Sequence, residues 1–352
     1  MLIAVILACW RQLLRWWDAC ALAQANEFYF LNVYGSDCHV TIPSDAVSEP
    51  GTDRAGAAAR PRPKEGLRLL AIHAHPDDES SKGAATMARY VDEGADVLVL
   101  TCTGGERGSI LNPNMDRSGV LENIAEVRRE EMAAAMRALG TSNIWLGYED
   151  SGLPEGDPLP PLPEGCFALA DSDEVTREVV RVVRDFKPHV IITYDENGGY
   201  PHPDHLKVHE VSMKAWALSS DENFYPEVGE PWTPLKLYYT HGFIRQRLQM
   251  FHDRLVAQGR PSPYGGFLER LRSDKGDTLA RVTTQVHAAE YFERRDDALR
   301  AHATQIDPAG TFFATPVELQ RELWPTEEFE LARTRVKTEL PEDDLFAGID
   351  KD

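Results

Sequence analysis

Two short motifs concentrate the residue types that hydrolytic chemistry needs: Ala74-His75-Pro76-Asp77-Asp78-Glu79 and His202-Pro203-Asp204-His205. A catalytic zinc ion takes three protein ligands from His, Asp or Glu and keeps a fourth position open for water, whose pKa it lowers to about 7. His75, Asp78 and His205 supply such a set. His75 and Asp78 are three residues apart, so a turn opening into a helix aims both at one point, with Pro76 fixing the bend. Asp77 is then free to act as general base, although the spacing alone leaves Asp77 and Asp78 nearly equal as ligands. Amide hydrolysis also requires an acid for the departing amine and a donor for the oxyanion. His202 and Tyr200 stand beside His205 for these tasks, and Asp204 is expected to orient the His202 imidazole and raise its pKa. His209, four residues after His205, offers a helical His-x-x-x-His pair as another ligand arrangement. A single His-Pro-Asp after a strand is often only a turn whose Asp caps the next helix. Two such motifs at corresponding strand ends argue instead for one shared site.

The elements that must position them follow from hydropathy. Apolar runs at 67–72 and 189–194 precede the two motifs, so both motifs lie just past strand carboxyl ends, where loops of an open α/β sheet converge on a crevice. Further strand-like runs at 97–102, 144–146 and 235–241 alternate with helical stripes after Glu79, after Val120 and over 173–186, with Gly94 and Gly140 as stops. This alternation predicts an α/β fold with a mostly parallel sheet and helices on both faces. Residues 150–165 and 219–234 read as long loops, 286–304 as a helix, and the acidic end (Glu339, Glu342, Asp343, Asp344) as a surface tail. Residues 103–108 lack the spacing of a phosphate cradle. Their glycines are expected to let the backbone pass close to the site, with Glu106 as a supporting partner. His73 and His189 are expected to pack or bond locally.

A formal net charge of -20 over 352 residues excludes nucleic acid and acidic membrane surfaces as partners. It favours a small, neutral or weakly charged substrate. Five cysteines without a CxxC spacing match a reduced, cytoplasmic protein. Residues 2–10 are apolar but fall short of the roughly 20 needed to span a bilayer. With the Pro- and Gly-rich stretch that follows, residues 1–66 are read as a disordered extension arising from a start site upstream of the true one, and 67–352 as the folded domain.

At the two motifs the chain resembles the PIG-L/LmbE-like zinc-dependent deacetylases, and the similarity runs from about Leu67 almost to the carboxyl end. The resemblance implies a Rossmann-like fold, His75, Asp78 and His205 as zinc ligands, Asp77 as general base, His202 as general acid and Tyr200 as oxyanion contact. Iron(II) suits the same donors. Within the family, residues 194–200 and 298–302 are similar to the actinobacterial mycothiol enzymes. These either deacetylate the N-acetylglucosaminyl-inositol precursor or cleave the cysteinyl-glucosamine amide of mycothiol S-conjugates. Residues 80–83, 103–108, 324–329 and 344–349 resemble the conjugate-cleaving branch, and Lys82 stands where the deacetylase branch lacks a lysine. The resemblance therefore implies a small thiol-sugar conjugate as substrate, with Lys82 contacting its acyl oxygens and Arg128 and Asp150 holding inositol hydroxyls. From the residues alone, Arg128 could equally be an exposed helix charge paired with Glu131. A metal-dependent sugar-binding protein without turnover is disfavoured, because binding needs neither Asp77 nor His202.

Overall fold

The computed structural model describes residues 63–270 and 277–350, and the reading of residues 1–62 as an extension lies outside them. Five strands run parallel: β1 (Arg68–His73), β2 (Asp96–Thr103), β3 (Ser142–Tyr148), β4 (Val190–Thr193) and β5 (Lys236–His241). Two antiparallel strands, β6 (Thr284–His287) and β7 (Thr326–Thr334), complete the sheet in the order β3-β2-β1-β4-β5-β7-β6. The order reverses between β1 and β4, whose Ala71 and Ile192 are paired. A crevice opens outside the carboxyl ends of two such strands, and both motifs leave the sheet there.

The central strands β1, β2, β4 and β5 are buried beyond their first residues and mostly apolar, because both faces are covered. Leu69 and Ala71 point into one core with α2 (Ala84–Asp92), α3 (Ile124–Leu139) and α7 (Phe292–Ala301). Leu70 and Ile72 point into the other, against α4 (Ser172–Phe186) and α5 (Pro203–Leu218). The helix stops behave as the sequence predicts: Gly140 closes α3 in a left-handed conformation, φ 78°. Asp171 caps α4 by accepting the backbone N–H groups of Asp173 and Glu174. Two further helices are the single turn α1 (Asp78–Ser81) and α6 (Arg245–Ala257). Among the described residues, no helix is long and apolar enough to cross a membrane, and Cys102 and Cys166 are free and buried.

Three expectations need correction. The helix expected over 286–304 is two elements: Thr284 to His287 alternate buried and exposed as strand β6, and the helix α7 begins at Phe292. Val286 pairs with Glu327 of β7, a long-range contact that a local helical pattern cannot reveal. The acidic end is not a surface tail. Glu342 is buried against the wholly buried Lys236 ammonium and accepts the Tyr238 hydroxyl at 2.6 Å, while Leu345 and Phe346 enter the core. Finally, Lys64 belongs to the body, buried with its ammonium on Asp344 and its N–H on the Glu93 carbonyl at 2.9 Å.

Burial lowers the Lys236 pKa against the pull of Glu342, so the pair exists because each ion needs the other. The variant E342Q is expected to lose about 3–5 kcal/mol of stability in urea unfolding, whereas a free tail would lose nothing measurable.

Candidate metal and hydrolytic site

The first motif folds back on itself. Asp77 adopts φ 107°, ψ −25° at the start of α1, a conformation that costs a non-glycine residue about 1–3 kcal/mol and recurs at functional sites. The Asp78 carboxylate turns back to accept the His75 N–H at 3.0 Å. Tyr194, just past β4, ties the strand ends together: its hydroxyl accepts the Ala74 N–H at 2.8 Å and donates to Asp78 Oδ2 at 2.6 Å. In the second motif His202 caps α5 by accepting the Asp204 N–H, and Pro203 opens the helix with a fixed φ. Gly198, at φ 68°, lies so near His205 that a Cβ would sit 2.7 Å from the histidine's own Cβ.

His75, Asp78 and His205 converge. Asp78 Oδ2 lies 3.5 Å from His75 Nδ1 and 3.4 Å from His205 Nε2, and the two nitrogens are 3.2 Å apart. Tetrahedral ligands at zinc bond lengths of about 2.0–2.1 Å stand about 3.3 Å from one another, so this triangle has the edges of such a site. The opposite ring nitrogens are also committed: His205 Nδ1 donates to the Gly198 carbonyl at 2.8 Å, and His75 Nε2 faces Asp204 Oδ2 at 3.1 Å. Both leave a lone pair toward the centre. Burial raises the Asp78 pKa, but Lys82 and His205 outweigh it and hold the carboxyl well below its usual range. His75, lowered by burial, is raised well above its usual value by Asp150, Asp204 and Asp78, so a proton competes with a cation for its Nδ1.

A second cluster shares His75 with Asp150, His202 and Asp204. Its carboxylates are already occupied: Asp204 takes the Ser151 hydroxyl and its N–H at 2.9 Å, and Asp150 takes the N–H groups of Gly152 at 2.7 Å and Arg107 at 3.1 Å. His209 is in neither cluster, its Nδ1 lying 3.1 Å from the Tyr194 carbonyl.

Asp77 is half-buried beside the triangle. Burial, with Asp78 adding, raises its pKa to about 6, where a carboxylate is ionised at neutral pH yet basic enough to take a proton. The expected Asp204–His202 partnership is not found. Asp204 Oδ2 stands 3.9 Å from His202 Nδ1, which instead accepts the Asp204 backbone N–H at 3.2 Å. The carboxylate serves His75, and the remaining His202 proton is placed on Nε2. Burial, then His75 and His205, lower the His202 pKa well below its usual value, opposite to the direction expected. The Tyr200 ring stands 4.6 Å from that of His205 and 6.1 Å from that of His202, and burial keeps its phenol protonated.

Lys82 lies on Asp78 Oδ1, with Ser81 Oγ at 3.2 Å. Arg128 is buried rather than exposed: its Nη2 donates to the Gly108 carbonyl at 3.0 Å and its Nε lacks a hydrogen-bond partner. A Cβ on Gly105 would stand 2.6 Å from Arg128 Nη1 and 3.4 Å from Pro76, so at Gly105 the loop backbone passes close to those two side chains. Glu106 accepts the Asp150 N–H at 3.2 Å, and Glu131 bonds Thr304 rather than Arg128. His73 packs on Tyr194 at 5.5 Å, and His189 Nδ1 accepts the Arg68 N–H at 3.0 Å. Sequence reasoning assigned no role to Tyr194, Ser151 or His302. Lys82 at four residues from Asp78 carried a legible signal for their pairing, because such side chains share a helix face. The other three act across long sequence separations.

Residues 70–216 match the PIG-L family, described as GlcNAc-PI de-N-acetylase. The chain is 59% identical to the mycothiol S-conjugate amidase of Streptomyces coelicolor over 286 residues, 80% of this chain and 97% of the relative. It is 41% identical to the 1D-myo-inositol 2-acetamido-2-deoxy-alpha-D-glucopyranoside deacetylase of Geodermatophilus obscurus over 295 residues, 80% and 98% of the two chains. Among solved structures, the N,N'-diacetylchitobiose deacetylase of Pyrococcus horikoshii superposes with a TM-score of 0.52 at 17% identity, covering 78% of this chain and 86% of that one. That likeness concerns the fold alone.

Proposed function

The chain belongs to the PIG-L family, and from that premise we propose that it is a metal-dependent amidase that hydrolyses the cysteinyl-glucosamine amide of mycothiol S-conjugates. The products are glucosaminyl-inositol and a mercapturic acid. The observation that carries this reading is the 59% identity to a mycothiol S-conjugate amidase along nearly its whole length, against 41% to a precursor deacetylase.

His75, Asp78 and His205 are the residues that would hold the ion, and their imidazole and carboxylate donors suit zinc, with iron(II) served by the same set. A divalent cation held there supplies Lewis acidity toward the amide carbonyl and toward water. Asp77 accepts the proton of the attacking water. Tyr200, protonated, donates to the carbonyl oxygen as it gains charge. His202 presents its Nε2 proton to the departing glucosamine nitrogen, and Asp204 keeps His75 in the ligating tautomer. Arg128 and Asp150 are assigned to the inositol hydroxyls on the strength of the family resemblance, and such a small soluble thiol-sugar substrate accords with a cytoplasmic enzyme.

An ammonium has three donors. Asp78 and Ser81 occupy two on Lys82, leaving one for an oxygen of the acetylcysteinyl group. K82S is therefore expected to lower kcat/KM on a conjugate about tenfold more than on the acetylated precursor, the worth of one charged hydrogen bond. Equal losses on the two would confine Lys82 to Asp78.

Mass-spectrometric turnover of a fluorophore-mycothiol conjugate against N-acetylglucosaminyl-inositol, with zinc-loaded full-length protein, tests the proposal. Faster cleavage of the conjugate is expected. Preference for the precursor would assign the chain to deacetylation, and zinc binding without turnover of either would leave a sugar-binding protein.

A further inference from the structure

Beneath Asp77 lies a buried pair that the proposed chemistry does not use. Glu79 and His302 are fully buried, 223 residues apart in sequence, with His302 Nε2 2.6 Å from Glu79 Oε1. The same oxygen accepts the Ser80 hydroxyl at 2.5 Å, and the other, Oε2, accepts the Asp77 N–H at 3.0 Å. The carboxylate is thus anchored through one oxygen and holds the backbone of Asp77 with the other. His302 is itself held: it follows α7, and the next segment is pinned to α3, where Glu131 accepts both the N–H and the hydroxyl of Thr304 at 2.7 Å.

We propose that Glu79 and His302 are a positioning pair that keeps Asp77 in its left-handed conformation, so that the segment after α7 sets the aim of the proton-accepting carboxylate. The inference rests on the reading of Asp77 as general base. A buried ionisable pair is a poor source of stability compared with apolar packing of the same volume. What this pair supplies is direction. Asp77 is a non-glycine residue at φ 107°, and such a conformation persists only where its surroundings over-determine it. The Ser80 and Ser81 N–H groups hold the Asp77 carbonyl at 3.1 Å, and the Glu79 carboxylate holds its N–H; the geometry of that last bond depends on how His302 orients the carboxylate. Were Asp77 to relax, Asp78 would keep its bonds to His75 and Tyr194 while the neighbouring carboxylate swung away from the substrate.

The test compares H302Q with H302N. Both place a neutral amide in the same buried slot, but only glutamine extends far enough to imitate Nε2 and reach Glu79. In the zinc-loaded full-length protein, H302N is expected to lower kcat about 10²-fold, the effect of an ångström-scale misplacement of a reacting group, with KM and zinc per chain unchanged. H302Q should restore kcat to within about tenfold of the parent. Equal kcat in the two variants, or losses that follow only zinc content or melting temperature, would overturn the proposal. D77N in the same assay separates the premises: if D77N keeps full activity, the base assignment fails, whatever the His302 variants do.

Discussion

Replacing Asp77 by Asn is expected to lower kcat on a mycothiol conjugate by about 10²–10⁴, the usual contribution of a positioned general base, with KM nearly unchanged. Asn preserves the size of the side chain and does not disturb the His75, Asp78 and His205 donors, so zinc per chain should stay at the parent value. The pH dependence carries a second readout. Asp77 acts only when ionised, and burial beside Asp78 raises its pKa to about 6. Activity should therefore fall as pH drops through the Asp77 pKa and be sustained above it. A bound dication favours the charged carboxylate and moves the limb downward, so about 6 is its upper bound. The profile of kcat/KM measures this limb in the free enzyme. Retention of it in D77N would show that another group takes the proton.

Removal of the metal is expected to abolish turnover and to lower the melting temperature while leaving the sheet intact. The strand cores are formed by apolar residues on both faces of the sheet, and none of the three ligands belongs to them. The stabilisation lost is that of a ligand bound only to the native state, about 4 kcal/mol at a thousandfold excess over Kd. For a domain of this size it corresponds to roughly 10 °C. Calorimetry with EDTA and then with added zinc or iron(II) measures it. In H205A the shift should be nearly absent, because the remaining pair His75 and Asp78 lacks the third corner of the triangle. A full shift in H205A would place the ion in the second cluster, with Asp150 and His202. Affinity should also weaken as pH falls, because Asp150, Asp204 and Asp78 favour the proton on His75.

The physical origin of the His75, Asp78 and His205 geometry explains why so much of it was legible. His75 and Asp78 are held together by a single turn, and His202 and His205 by the opening of α5. Covalent geometry limits how far such neighbours can stray, so their types and spacing already describe a site. The apolar runs that carry them are equally local signals, and the parallel order of β1 to β5 follows from the crossover helices between them. Where partners are distant, the same reasoning lost its footing. Val286 looked helical because its neighbours along the chain are compatible with a helix, yet its pairing with Glu327 makes it strand. Glu342 looked like a solvated tail because an acidic run ordinarily is one, yet the buried Lys236 requires its charge.

The sequence by itself pointed to the reaction class: histidines and carboxylates past two strand ends, with Asp77 and Asp78 nearly equal as ligands by spacing alone, and His202 and Tyr200 beside them as candidates for the leaving group and the oxyanion. It also determined the strands and helices that bring these groups to one edge. Only the tertiary structure decided which partner each side chain takes. It assigned Asp204 to His75 instead of His202, and Glu79 to a histidine 223 residues away. The reason is that spacing constrains neighbours along the chain, whereas a hydrogen bond between distant residues is selected by sheet register and helix packing, which bring a few candidates within 3 Å and exclude the rest.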